Sequence, residues 1–97
     1  MFLFNATLIA ENDISEAVHT YLTTQLTAIA DDRFAPSLLE MLDSPHDGVT
    51  YCIQLRAGDR GEILSFQQTH LAAIRQHLET VYTGKILFFE SMMKYLN

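Results

Sequence analysis

Gly48-Val49-Thr50-Tyr51-Cys52-Ile53-Gln54-Leu55-Arg56, in the middle of the chain, alternates apolar and more polar side chains with a period of two. Val49, Tyr51, Ile53 and Leu55 therefore fall on one face of an extended strand, and Thr50, Cys52, Gln54 and Arg56 on the other. The preceding Ser44-Pro45-His46-Asp47-Gly48 is rich in turn residues, and its Asp-Gly pair accepts the positive φ angles of a tight reversal. A strand entered from such a turn implies a hairpin, with an antiparallel partner just upstream. Ser37 to Asp43 supplies that partner through Leu38, Leu39, Met41 and Leu42, although its length also suits a short helix.

Upstream of the hairpin, Phe2 to Ala10 is apolar at almost every position, as a strand covered on both sides would be, and Asn5 is its odd residue. Asp13, with Glu16 three residues later, has capping-box spacing and predicts a helix start. Ile14, Val18, Tyr21, Leu22, Leu26 and Ile29 then recur at intervals of three and four, an amphipathic helix ending near Asp31. Pro36 stops any continuation.

Downstream, Gly58-Asp59-Arg60-Gly61 breaks the strand pattern. A second helix is expected over Glu62 to Tyr82, with Leu64, Leu71, Ile74, Leu78 and Val81 as its stripe and Gly84 suited to the left-handed cap. Lys85 to Leu96 closes the chain as a strand apolar on both faces. The order is strand, helix, strand, strand, helix, strand, that is, an α+β ferredoxin-like βαββαβ arrangement with a four-stranded antiparallel sheet. Right-handed crossovers place the first and third strands in the centre and both helices on one face. The opposite face is left open and apolar, and a second copy of the chain is the simplest cover for it.

Composition bounds the function classes. The 97 residues suffice for one core, and residues 1–97 are expected to form a single domain. Six basic against twelve acidic residues give a net charge of −6, which repels phosphate backbones and anionic lipid, so neither nucleic acid nor membrane is an expected partner. The apolar N-terminal run has no basic segment before it and is too short to span a bilayer, and the cytoplasm is the expected location. Asn5-Ala6-Thr7 matches the glycosylation pattern but falls inside a strand. A single cysteine, Cys52, has no partner for an internal disulfide and is expected to pack as a small apolar side chain.

Phe4-Asn5-Ala6-Thr7, Gly48 to Gln54 and Gly84-Lys85-Ile86-Leu87 resemble a family of short bacterial proteins, common in Bacteroidetes, that carries a domain-of-unknown-function label. The resemblance covers essentially the whole chain. It implies a ferredoxin-like fold of the dimeric α/β-barrel kind, in which two sheets face each other across a two-fold axis, and it implies no activity. The wider superfamily includes small antibiotic-biosynthesis monooxygenases and haem-degrading enzymes. The haem-degrading group shapes its pocket with an Asn on the first strand and with a Trp and a His on a later helix. Asn5 and His70 or His77 match the first and third roles, but the chain has no Trp for the second.

The candidate pocket residues are Asn5, Thr50, Cys52, Gln54, Arg56, His70 and His77. Asn5 and the alternate residues of the third strand face the space beyond the open sheet, where polar groups in apolar surroundings suit either a ligand site or a hydrogen-bonded dimer interface. His70 and His77 lie seven apart, two helical turns or roughly 10 Å, too far to share a metal ion. Each could act alone as an acid, base or haem ligand, or pack beside Phe66 and Ala73. Glu90, in an apolar strand, needs solvent or a cation, and Arg56 and Lys94 are its expected partners across the dimer. No metal or cofactor is expected. Two functional readings result. One is a small homodimeric binding or interaction module that takes itself, or a small apolar ligand, on its open face. The other is a cofactor-independent oxygenase or haem-degrading-type enzyme with a pocket between helices and sheet.

Overall fold

The structure is a computed structural model and describes residues 1–30 and 33–97. Its elements are β1 (Phe2–Ala10), a 3-10 turn (Asn12–Ile14), α1 (Ser15–Ile29), β2 (Ser37–Met41), β3 (Val49–Ala57), α2 (Arg60–Phe66), a π-helical turn (Gln67–Leu71), α3 (Ala72–Val81) and β4 (Ile86–Lys94). The four strands form one antiparallel sheet in the order β2-β3-β1-β4, with β1 and β3 central. This is the ferredoxin-like α+β fold that the alternation of β3, the apolar run of β1 and the helix spacing predict. β2 is an edge strand, shorter than expected, and Leu42 beyond it is exposed.

Register assigns every strand residue to a face. Phe4 pairs with Leu55, Ala6 with Ile53, Leu8 with Tyr51 and Ala10 with Val49, and this set points to the helices. Val18, Leu22 and Leu26 of α1 cover it from one side, and Ile63, Phe66, Leu71, Ile74 and Leu78 from the other. Phe34, between α1 and β2, is buried against Phe66 with ring centroids 5.6 Å apart, and Phe66 in turn meets Phe4 at 6.3 Å.

The second helical layer corrects its predicted stripe. Leu64 and Val81 are exposed, whereas Ile63 and Phe66 are fully buried. Phe66 and Leu71 are five residues apart, a spacing that a 3.6-residue turn would rotate off the core. The π-helical turn takes up the extra residue and returns Leu71 to the apolar side. Asp59 caps this layer by accepting a hydrogen bond from the Glu62 N–H at 2.9 Å, and α2 begins at Arg60, two residues before the expected Glu62.

The start of α1 is corrected too. Asp13 caps nothing; it lies in the 3-10 turn and pairs with Lys85. The sheet causes this, because Ala10 is registered with Ile86 and the Glu11 N–H donates to the Lys85 carbonyl, which brings the lysine to the turn. α1 ends at Ile29, and the expected terminus near Asp31 lies outside the described residues. Gly48 is required where it stands, with φ of +89° and a position at which a Cβ would lie 2.3 Å from the Ala10 carbonyl oxygen.

Candidate functional site on the open sheet face

The sheet face away from the helices is built by the alternate set of residues. Leu3, Asn5, Thr7 and Ile9 of β1 stand beside Arg56, Gln54, Cys52 and Thr50 of β3, and beside Met93, Ser91, Phe89 and Leu87 of β4. Leu39 and Met41 extend the face along β2. Leu39, Met41, Leu87, Phe89 and Met93 are each between 42 and 58% exposed, so both lateral margins of the face are apolar and bare.

Its centre is polar and internally satisfied. Gln54 Nε2 donates to Asn5 Oδ1 at 3.2 Å, Asn5 Nδ2 donates to Thr7 Oγ1 at 2.9 Å, and Thr7 Oγ1 lies 3.9 Å from Cys52 Sγ. Thr50 is buried and donates to Ser44 Oγ at 2.8 Å. Among the described residues no buried side-chain N or O lacks a hydrogen-bond partner. Thr7 is absent from the candidates read in the sequence. The available signal is its spacing of two from Asn5, which puts both on one strand face.

Arg56 is the one charged strand residue on this face. Its guanidinium lies 5.5 Å from the centroid of the Tyr95 ring, and among the described residues no carboxylate pairs with it. Met1, Leu3, Ser37, Gln54, Arg56 and Tyr95 line a groove of about 380 Å³ at the end of the face where β1 begins and β3 ends. An adjoining apolar groove of about 270 Å³ shares Leu3 and Tyr95 and continues to Met93 and Lys94.

The structure thus brings together Asn5, Thr50, Cys52, Gln54 and Arg56, and it places His70 and His77 elsewhere. His70 packs against Phe34 and Phe66 in the helical layer, and His77 stacks on Tyr21 with centroids 4.3 Å apart. The sheet separates both histidines from Asn5. Glu90 also turns to the helical side, opposite Ala6, where it accepts from Arg75 at 2.9 Å and from Gln67 at 3.1 Å. Arg56 and Lys94, its expected partners, are replaced by a helical residue that sequence distance hides. Arg75 is held above its ordinary pKa, chiefly by the hydrogen bond to Glu79 and further by the one to Glu90.

A model of a domain of unknown function, DUF4286, matches residues 1–96. The chain belongs to that family. No curated protein matches it. Solved structures share its fold at low identity. A Deinococcus radiodurans protein, described as a candidate antibiotic biosynthesis monooxygenase, superposes with a TM-score of 0.69 at 17% identity over 100% of this chain and 97% of that one. A dabb family protein with a ferredoxin-like fold from Mesorhizobium loti gives 0.60 at 12% identity, with 100% of both chains covered. The de novo designed protein Foldit4 gives 0.62 at 5% identity, over 97% of this chain and 96% of that one. A designed protein among these neighbours shows why such likeness speaks of fold and not of activity. Among the described residues no group of three or more His, Cys, Asp or Glu could hold a metal ion, and no helix is long and apolar enough to cross a membrane.

Proposed function

We propose that this DUF4286 chain acts as a homodimeric binding module, with the open sheet face of one copy laid against that of another. The observation that carries the reading is the bare apolar margin formed by Leu39, Met41, Leu87, Phe89 and Met93 around a hydrogen-bonded polar centre. Large apolar side chains left exposed along both edges of one sheet face, framing a polar centre, mark an interaction site.

Three physical features support a second copy as the occupant. Four strands of up to nine residues make a face of roughly 20 by 30 Å, of the order of the ~800 Å² per partner that a stable interface needs. The chain carries a net charge of −6, yet no strand position on this face is a carboxylate, so two copies meet there without acidic repulsion. Covering Asn5, Thr7 and Gln54 costs less than covering unbonded groups would, because Gln54 already donates to Asn5 and Asn5 to Thr7. Two sheets packed about 10 Å apart enclose side chains from both copies, and the Arg56 groove opens at the end of that layer.

Sedimentation equilibrium at micromolar concentration tests the reading. A mass twice that of the chain is expected, and a monomer throughout that range overturns it.

A further inference from the structure

The ligand class of this face follows from its one unpaired charge. Among the described residues no carboxylate pairs with Arg56, Arg60 or Lys94, and of these three only Arg56 stands at a strand position on the open face. Arg75 and Lys85 both hold carboxylates, whereas Arg56 lies over the Tyr95 ring and lines a groove. Stacking on an aromatic ring leaves the planar fork of N–H donors free for an oxyanion. The Ser37 hydroxyl and the Gln54 amide line the same groove. The rest of the lining is apolar, from Met1, Leu3 and the Tyr95 ring, and the adjoining groove carries apolar lining on to Met93.

We infer that this groove binds a small monocarboxylate with an apolar body, its carboxylate on Arg56 and its body across Leu3 and Tyr95 towards Met93. A guanidinium and a carboxylate match in charge and in two-point geometry. Arg56 is the one guanidinium lining the groove, and the apolar lining beside it suits a carboxylate carried on an apolar body better than a phosphate, which is polar on every side. A volume of about 380 Å³ admits a molecule of some ten heavy atoms. The site rests on the binding role proposed above, but every residue that lines it comes from one chain, so its test is separable from that of the dimer.

The test is a titration of ¹⁵N-labelled protein with octanoate, octanol and inorganic phosphate, followed by NMR, with mass measured by light scattering on the same samples. Octanoate is expected to give saturable shifts at Leu3, Ser37, Arg56 and Tyr95, octanol to bind at least about tenfold more weakly, and phosphate to give no saturable shift. Arg56→Gln is expected to weaken octanoate about ten- to hundredfold, the share of a charge-assisted hydrogen bond, and to leave octanol unchanged. Arg56 is exposed, so this variant keeps its fold, which an unchanged amide spectrum away from the groove verifies. Equal affinity for octanoate and octanol, saturable phosphate binding, shifts centred elsewhere, or indifference to Arg56→Gln would each overturn the inference. A monomer that binds octanoate through Arg56 keeps the site and removes the dimer; a dimer indifferent to octanoate does the reverse.

Discussion

The two faces of one sheet differ in how their apolar residues are covered. On the helical side Phe4, Leu8, Ile53 and Leu55 disappear under α1, α2 and α3, and the apolar residues left outside, such as Leu64 and Val81, are on the outer surface of the helices. On the other side Leu39, Met41, Leu87, Phe89 and Met93 remain bare at the margins of a polar centre. The same β1 backbone serves both faces, so they differ in cover and in the polar centre that Asn5, Thr7, Gln54 and Arg56 give to the open one. This difference separates residues that hold the fold from residues available for assembly.

The largest effect expected is on the covered side. Phe66→Ala removes a fully buried ring that meets Phe4 and Phe34, and it should lower unfolding free energy by about 3–5 kcal/mol in urea melts. A loss below about 1 kcal/mol would break the distinction between the faces. On the open side, Phe89→Asp places a charge on the bare margin. It should weaken association by about 2 kcal/mol or more in sedimentation while circular dichroism stays that of the wild type. Loss of helix content in this variant would show that Phe89 holds the fold instead.

A pH effect belongs to the covered side. Burial, with Glu40 and Glu16 adding to it, raises the Tyr51 hydroxyl above its ordinary 10.0, and burial raises Tyr21 likewise. The unfolded chain then loses these protons first. The stabilising contribution is complete below about pH 10 and is lost as pH climbs through the raised folded values. Tyr51 also donates to the Ser15 carbonyl at 3.0 Å, and ionisation removes that donor. Thermal melts should therefore show a fall in Tm above pH 10 that Tyr51→Phe reduces; an identical fall in the variant would assign it to other groups. Smallest is Glu90→Gln, which breaks a part-exposed ion pair with Arg75 on the helical side. It should cost at most about 1 kcal/mol and leave mass in solution unchanged, whereas dissociation would return Glu90 to the interface.

Much of the covered side was legible because its signals are local. Alternation in β3 fixes which of its residues face the helices, register carries that assignment to β1, and the three-and-four spacing of Val18, Leu22 and Leu26 fixes the buried side of α1. What escaped depends on interruptions or on long separations. The five-residue step from Phe66 to Leu71 defeats a regular helical period, and a sheet register brings Lys85 to Asp13 across 72 positions. Glu90 looked like an interface residue because Arg75 reaches it only through the packing of α3 against β4. On the open face, Asn5, Thr50, Cys52, Gln54 and Arg56 were legible as one set, since period two alone places the β3 residues together. The histidines were not separable from them by sequence, because no local pattern states on which side of a sheet a helix lies.

Isotope-filtered NOE spectroscopy on an equal mixture of ¹³C-labelled and unlabelled protein addresses the cover of the open face most directly. Cross-copy contacts are expected from Leu39, Phe89 and Met93, and none from Leu64 or Val81. A spectrum without contacts between copies at the first three, or with them only at the helical pair, would contradict the account.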